Sequence, residues 1–266
     1  MTLAEAVARF ADNLISHPDM IAVSGGTFRM GSDKHYPEEA PAHRVTVGDF
    51  LIDRTPVTNR HFKDFVKATG HVTFAEIPPR AEDYPGALPH MLYAGSLVFS
   101  PPPHPVDLRN WSQWWQFMRG ADWRHPYGPK SNINGLDNHP VVHVAYSDAL
   151  AYATWAGKSL PTEAEWEFAA RGGLEEAEYA WGAEFTPGGE YRANTWQGHF
   201  PHENLGADGF ARTSPVTAFP PNGYGVQDMI GNVWEWTADW YSSKHEADAP
   251  KACCIPENPR GGRQEG

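Results

Sequence analysis

Residues 223–240 read Gly-Tyr-Gly-Val-Gln-Asp-Met-Ile-Gly-Asn-Val-Trp-Glu-Trp-Thr-Ala-Asp-Trp. The run is too polar for a plain core strand and too aromatic for a solvated loop. Carboxylate, amide and backbone oxygens crowd together in it, the donor set that a hard cation such as Ca²⁺ takes. Its three tryptophans would supply rigid packing around such a centre. The competing reading is an aromatic core strand behind a tight turn.

Glycine and proline, 25 and 24 residues of 266, punctuate the chain without a period, which predicts a loop-rich fold of short elements. The 41% hydrophobic and 13% aromatic content is enough to fill a core. A net charge of −12 opposes binding to nucleic acid or to an anionic membrane, and no apolar stretch reaches the length of a membrane span. Two adjacent cysteines make no disulfide framework, so a reducing cytoplasm is the expected location. Leu3, Val7, Phe10 and Leu14 share one helical stripe, so residues 1–20 are read as a helix laid against a single domain of residues 21–266.

Within that domain, alternation at Thr27–Met30 and Val45–Ile52 predicts a hairpin around the turn-rich 33–41. Thr58 is placed to cap a helix carrying Phe62, Phe65 and Val66 that stops at Gly70. A second helix is expected from Ser147 to Trp155, closed by Gly157. A third begins with a Thr162/Glu165 capping box and ends at Gly172, and its Glu163, Glu165 and Glu167 are read as structural. Residues 78–105 look like an irregular surface wrap, and Trp111, Trp114, Trp115 and Phe117 fit no single strand.

Nine ordered motifs between Ile21 and Asp239 carry a family resemblance. They include Gly25-Gly-Thr-Phe-Arg-Met-Gly-Ser32, Thr55-Pro-Val-Thr-Asn59, His139-Pro-Val-Val-His-Val144, Leu160-Pro-Thr-Glu-Ala-Glu-Trp-Glu-Phe168, Ala193-Asn-Thr-Trp-Gln-Gly198, Phe219-Pro-Pro-Asn-Gly223 and Gly231-Asn-Val-Trp-Glu-Trp236. In this order they resemble the formylglycine-generating enzymes, or sulfatase-modifying factors. The resemblance implies an α+β fold of the C-type-lectin-like kind and the oxidation of a sulfatase cysteine, in a Cys-x-Pro-x-Arg segment, to formylglycine. O₂ and a copper ion on two thiolates would serve that reaction, with a sulfatase polypeptide as partner and a monomer as the working unit.

The same resemblance implies two structural calcium sites. The first takes side-chain oxygens of Asn194 and Asp208 and the carbonyls of Thr195 and Phe210; an Asx-turn pair bracing the loop is the alternative. The second takes Asp228, the carbonyls of Ile230, Gly231 and Val233, and Glu235. The family often carries asparagine where Asp228 stands.

The family's copper cysteines lie in a Gly-Gly-Ser-x-x-Cys-x-x-x-x-Cys pattern beyond the Trp-Glu-Trp run, and this sequence holds no such pattern. The chain is therefore expected to be the front portion of such a protein, without catalytic residues, prone to association at an uncovered edge near Thr27–Met30. On an extended backbone Cys253 and Cys254 would point to opposite sides and could not grip one Cu(I) linearly. His139 and His143 suggest the iron-dependent sulfoxide synthases, but Ala145 replaces the third ligand of that pattern. A non-catalytic binding module of the same fold is the other alternative. Trp234 and the Trp111–Trp115 cluster are candidates to line a substrate groove.

Overall fold

The computed structural model describes residues 17–262; the helix expected over residues 1–20 lies almost wholly outside them. Six strands form three two-stranded antiparallel sheets, β1 (Met20–Val23) with β4 (Phe50–Asp53), β2 (Gly26–Met30) with β3 (His43–Val47), and β5 (Gly95–Phe99) with β6 (Trp115–Arg119). Three α-helices accompany them among the described residues: α1 (Asn59–Thr69), α2 (Tyr146–Trp155) and α3 (Glu163–Arg171). The rest is turns, single-turn helices and loops, as the glycine and proline content requires.

The first four strands are one nested hairpin broken in the middle. The register runs from Met20 opposite Asp53 to Val23 opposite Phe50, then resumes from Gly26 opposite Val47 to Met30 opposite His43. The expected strand Val45–Ile52 is thus two strands, parted at Gly48 and Asp49. At the break a Cβ on Gly25 would lie 2.2 Å from the Val47 carbonyl oxygen, and the Gly25 N–H donates to the Asp49 carboxylate at 2.8 Å. Only glycine permits that approach.

Helix α3 packs across this hairpin. Phe168 meets Phe28 edge-to-face at 5.1 Å between centroids, within a core of Val23, Phe28, Met30, Val45, Val47 and Ala164. Both ends of α3 obey the sequence. The Thr162 hydroxyl accepts from the Glu165 N–H at 3.1 Å, Glu165 accepts from the Thr162 N–H at 2.8 Å, and Gly172 takes the left-handed conformation at φ 59. A second core joins Phe62 and Phe65 of α1 to Trp123, capped by Thr58 and closed by Gly70 at φ 71.

Helix α2 starts at Tyr146, one residue early. No side chain caps it from the first position; instead the buried Asp148 carboxylate reaches back to the Ala145 N–H at 2.9 Å. The same carboxylate accepts from the Phe74 N–H at 3.2 Å and meets His71 Nε2 at 2.9 Å, tying α2 to the segment after α1.

The proline-rich wrap is not wholly irregular, because Gly95–Phe99 pairs with Trp115–Arg119. The tryptophan spacing that no strand satisfied arises from a single-turn helix at Trp111–Gln113 running straight into β6. No helix among the described residues is long and apolar enough to cross a membrane.

Candidate metal centre

Residues 223–240 adopt no helix and no strand longer than a bridge, so the aromatic core-strand reading fails. The run is held by side chains instead. At its start, Asn222 accepts from the Tyr224 and Val226 N–H groups at 3.0 and 3.2 Å and donates to the Ala169 carbonyl at 2.7 Å, closing the end of α3. At its end, Asp239 accepts from the Glu163 N–H at 2.7 Å at the start of α3 and pairs with Arg260 at 2.6 Å. Asp239 carries no motif weight in the sequence, since its role depends on a helix 76 residues away.

Between those anchors the backbone turns through four left-handed residues, Gly225 at φ 88, Asp228 at φ 57, Gly231 at φ 77 and Asn232 at φ 59. A Cβ on Gly231 would sit 2.2 Å from the Asn194 carbonyl oxygen, while the Asn232 N–H donates to that same oxygen at 2.9 Å. Asn232 also accepts from the Ser214 N–H at 2.9 Å. The two loops singled out in the sequence, around 194–210 and 228–235, therefore touch through backbone. The sequence reading missed Asn232; its position after glycine was the available signal.

Asp228 is 8% exposed, and neither of its carboxylate oxygens has a hydrogen-bond partner in the chain. Burial pushes its pKa from 3.8 up to about 6; Asn232 lies close enough to temper the rise without making a hydrogen bond of ordinary geometry. Glu235 is pushed up to about 7, first by the protein crowding its carboxyl and then by the Asp228 charge, with Trp166 Nε1 donating to it at 3.0 Å as a counterweight. Glu235 keeps surface on an open groove, so water screens part of that shift, and Asp228 carries the stronger argument. The carbonyls of Ile230 and Val233 accept no hydrogen bond among the described residues, whereas that of Gly231 accepts from the Val233 N–H at 2.8 Å. Two carboxylates whose charges repel each other, one with both oxygens orphaned and buried, are donors of the kind a hard cation takes.

The first loop is different. Asp208 accepts from the Thr195 N–H at 2.9 Å, the Phe210 N–H at 2.9 Å and Gln197 Nε2 at 2.7 Å, and Asn194 Nδ2 donates to the Arg212 carbonyl at 2.8 Å. Thr195 and Phe210 are drawn to the Asp208 carboxylate through their N–H groups, and the Thr195 carbonyl accepts from Gln197 Nε2. Asn194 Oδ1 and the Phe210 carbonyl accept no hydrogen bond among the described residues, so the Asx-turn alternative accounts for Asp208 but not for the whole set.

Beside Glu235 opens a groove of about 360 Å³, with Phe50, Ile52, Tyr152, Trp166 and Trp236 among its walls and the Lys158–Asp53 pair, 2.6 Å apart, on its border. Trp234, 94% exposed, stands at this groove. The Trp111–Trp115 cluster does not. Trp114 and Trp115 pack with Phe99, Trp196 and Phe200 away from it.

The two histidines are not a metal pair. His139 Nδ1 bonds the Thr213 hydroxyl at 3.0 Å, while His143 bonds Ser96 Oγ at 2.9 Å and the Pro126 carbonyl at 2.8 Å. Burial pushes both below the ordinary histidine value. The three helix glutamates are structural: Glu165 caps, Glu167 accepts from the Gly31 N–H at 2.9 Å and pairs with Arg171, and Glu163 lies 3.9 Å from His245.

Cys253 and Cys254 are free and exposed. The extended backbone assumed for them is absent: residues 252–254 form a tight single-turn helix, and the two sulfurs stand 3.5 Å apart on one side.

The pattern of the sulfatase-modifying factor enzyme 1-like domain matches residues 5–264. The formylglycine-generating enzyme of Mycobacterium tuberculosis is 56% identical over 239 residues, which cover 90% of this chain and 80% of that protein. A bovine protein named inactive C-alpha-formylglycine-generating enzyme 2 is 44% identical over 237 residues, 85% of this chain and 72% of its own length. Among solved structures, PvdO from Pseudomonas aeruginosa superposes with a TM-score of 0.58 at 27% identity, covering 92% of this chain and 77% of PvdO.

Proposed function

The chain belongs to the sulfatase-modifying factor family, and on that premise we propose that it is the calcium-braced scaffold of a protein that converts a sulfatase cysteine to formylglycine. The 56% identity to a formylglycine-generating enzyme across 90% of the chain carries this reading. The substrate would be a Cys-x-Pro-x-Arg segment, laid along the groove where Trp234 offers an exposed ring to its proline. The Asp228–Glu235 loop would hold the main calcium ion, whose charge relieves the repulsion between two acids and fills the coordination of Asp228. A second ion at Asn194, Thr195, Asp208 and Phe210 would add less, because Asp208 is already bonded there.

Copper is different. The chain's only thiols are 3.5 Å apart. Two sulfurs in line on one metal lie about 4.6 Å apart at bond lengths of about 2.3 Å. The residues present do not fit a linear two-thiolate copper site, and no oxidative step is derived from them.

A second reading, a binding module without catalysis, is favoured by the 44% identity to a relative named inactive. Incubating the 266-residue chain with a fluorescent Cys-x-Pro-x-Arg peptide, Cu(I), O₂ and a thiol reductant separates the readings. Under the scaffold proposal the peptide binds, Trp234→Ala weakens binding, and the peptide mass is unchanged until the family's cysteine tail is appended. Continued absence of aldehyde with the tail in place favours the binding module, and no peptide binding in either form sinks both.

A further inference from the structure

We propose that Cys253 and Cys254 form a chelating dithiol site for a thiophilic cation that accepts two sulfurs at a bent angle, the chemistry of zinc(II)-class ions. The bite distance decides the class. With metal–sulfur bonds of about 2.3 Å, sulfurs 3.5 Å apart subtend about 100° at the metal, close to tetrahedral and far from linear. Adjacent cysteines reach this arrangement because the turn at Ala252–Cys254, closed by the Cys254 N–H to the Lys251 carbonyl at 3.0 Å, brings both side chains to one side.

The turn is held in place from both flanks by β3. Upstream, the Arg44 backbone N–H donates to Asp248 at 2.9 Å and the Arg44 guanidinium reaches Asp248 and the Ala249 carbonyl. Downstream, the Thr46 N–H donates to the Pro256 carbonyl at 2.8 Å and the Asn258 N–H donates to the Thr46 carbonyl at 2.7 Å. The Gly48 N–H then donates to Asn258 Oδ1 at 2.8 Å. A chelate whose arms are fixed before the ion arrives loses little ordering entropy on binding. The net charge of −12 favours cation approach.

No third His, Cys, Asp or Glu joins the pair among the described residues. The ion therefore keeps open positions for water or an exogenous ligand, as exchangeable rather than sealed sites do. Each thiol gives up its proton as the metal–sulfur bond forms. No electron transfer is involved.

The chain's only cysteines are these two, so every thiol signal reports this site. The test is a Cd²⁺ titration of the reduced, chelator-washed chain, read by the thiolate-to-metal charge-transfer band, with Zn²⁺ as competitor. The expected result is one Cd²⁺ per chain, displaced by Zn²⁺, with both thiols protected from alkylation. Cys253→Ser and Cys254→Ser should each weaken binding by at least about tenfold, because the second sulfur acts at high effective concentration. Circular dichroism confirms that the variants fold, and alanine at the same positions provides a second pair. One ion shared by two chains, or a band that survives either single substitution at full affinity, overturns the proposal.

Discussion

The orphaned carboxylate of Asp228 allows a quantitative test, and Asp228→Asn is the variant suited to it. The residue sits at φ 57, a conformation that asparagine tolerates as readily as aspartate, so the backbone is not strained by the change. A carboxyl whose pKa rises from 3.8 to about 6 on folding carries about 3 kcal/mol of unfavourable charge burial at neutral pH. The folded state holds the proton more tightly than the unfolded chain. In chelator, stability therefore falls as pH rises from 3.8 to about 6 and levels off above. The neutral amide removes that cost. In chelator at pH 7.5, Asp228→Asn should be more stable than the parent by up to about 3 kcal/mol, or roughly 6–12 °C in Tm for a domain of this size. Its calcium-induced rise in Tm, which in the parent follows from mass action, should shrink but persist, because the amide oxygen remains a ligand while the charge is lost. Thermal melts across pH 4–8, with and without calcium, give all of these numbers. A variant less stable than the parent in chelator, with its calcium response intact, would refute the reasoning at its root.

Glu235→Gln should likewise reduce the calcium response while stabilising the chelated protein by less than Asp228→Asn, since groove water already screens Glu235; melts at pH 7.5 compare the two. Asp208→Ala should destabilise the chain even in chelator, by about 2–3 kcal/mol in denaturant titration, because it strands three donors that now have partners. Asp148→Ala should cost about 3–5 kcal/mol by the same logic, as its carboxylate is 2% exposed and serves Ala145, Phe74 and His71 together. Thr162→Ala removes only a cap and should cost about 1 kcal/mol.

What the sequence made legible was what short stretches of chain decide for themselves. Thr58, Gly70, Thr162 and Gly172 mark helix ends because capping is satisfied within three or four residues. The nine motifs gave the family and the α+β fold. The break between β3 and β4 was hidden, since it depends on Gly25, in the matching gap between β1 and β2, pressing against Val47. Proline-rich surroundings concealed β5, whose partner lies beyond the tryptophans. At the candidate metal centre the oxygen-bearing residues were visible in the sequence, but not that Asp208 would accept three N–H donors while Asp228 was left bare. Such a difference depends on where the neighbouring loops fall. The cysteine pair sits on a tight turn rather than the assumed extended chain, although it is no better suited to a linear copper site there. Among the described residues sheet β2–β3 has no third full strand, and residues 256–258 bridge to Thr46 on the β3 side, a pairing no local motif announces.

The contact between Gly231 and Asn194 has a thermodynamic consequence. Because the Asn194 carbonyl receives the Asn232 N–H and lies against Gly231 with no room for a Cβ, neither loop can reshape without moving the other. Two cations bound on either side of that contact would report on each other. An ion that orders one loop spares its neighbour part of the ordering entropy, and the benefit is reciprocal by linkage. If both proposed ions bind, calcium uptake at Asp228 and at Asp208 would then be positively cooperative, and a larger side chain at Gly231 would strike at both together although it would touch neither directly.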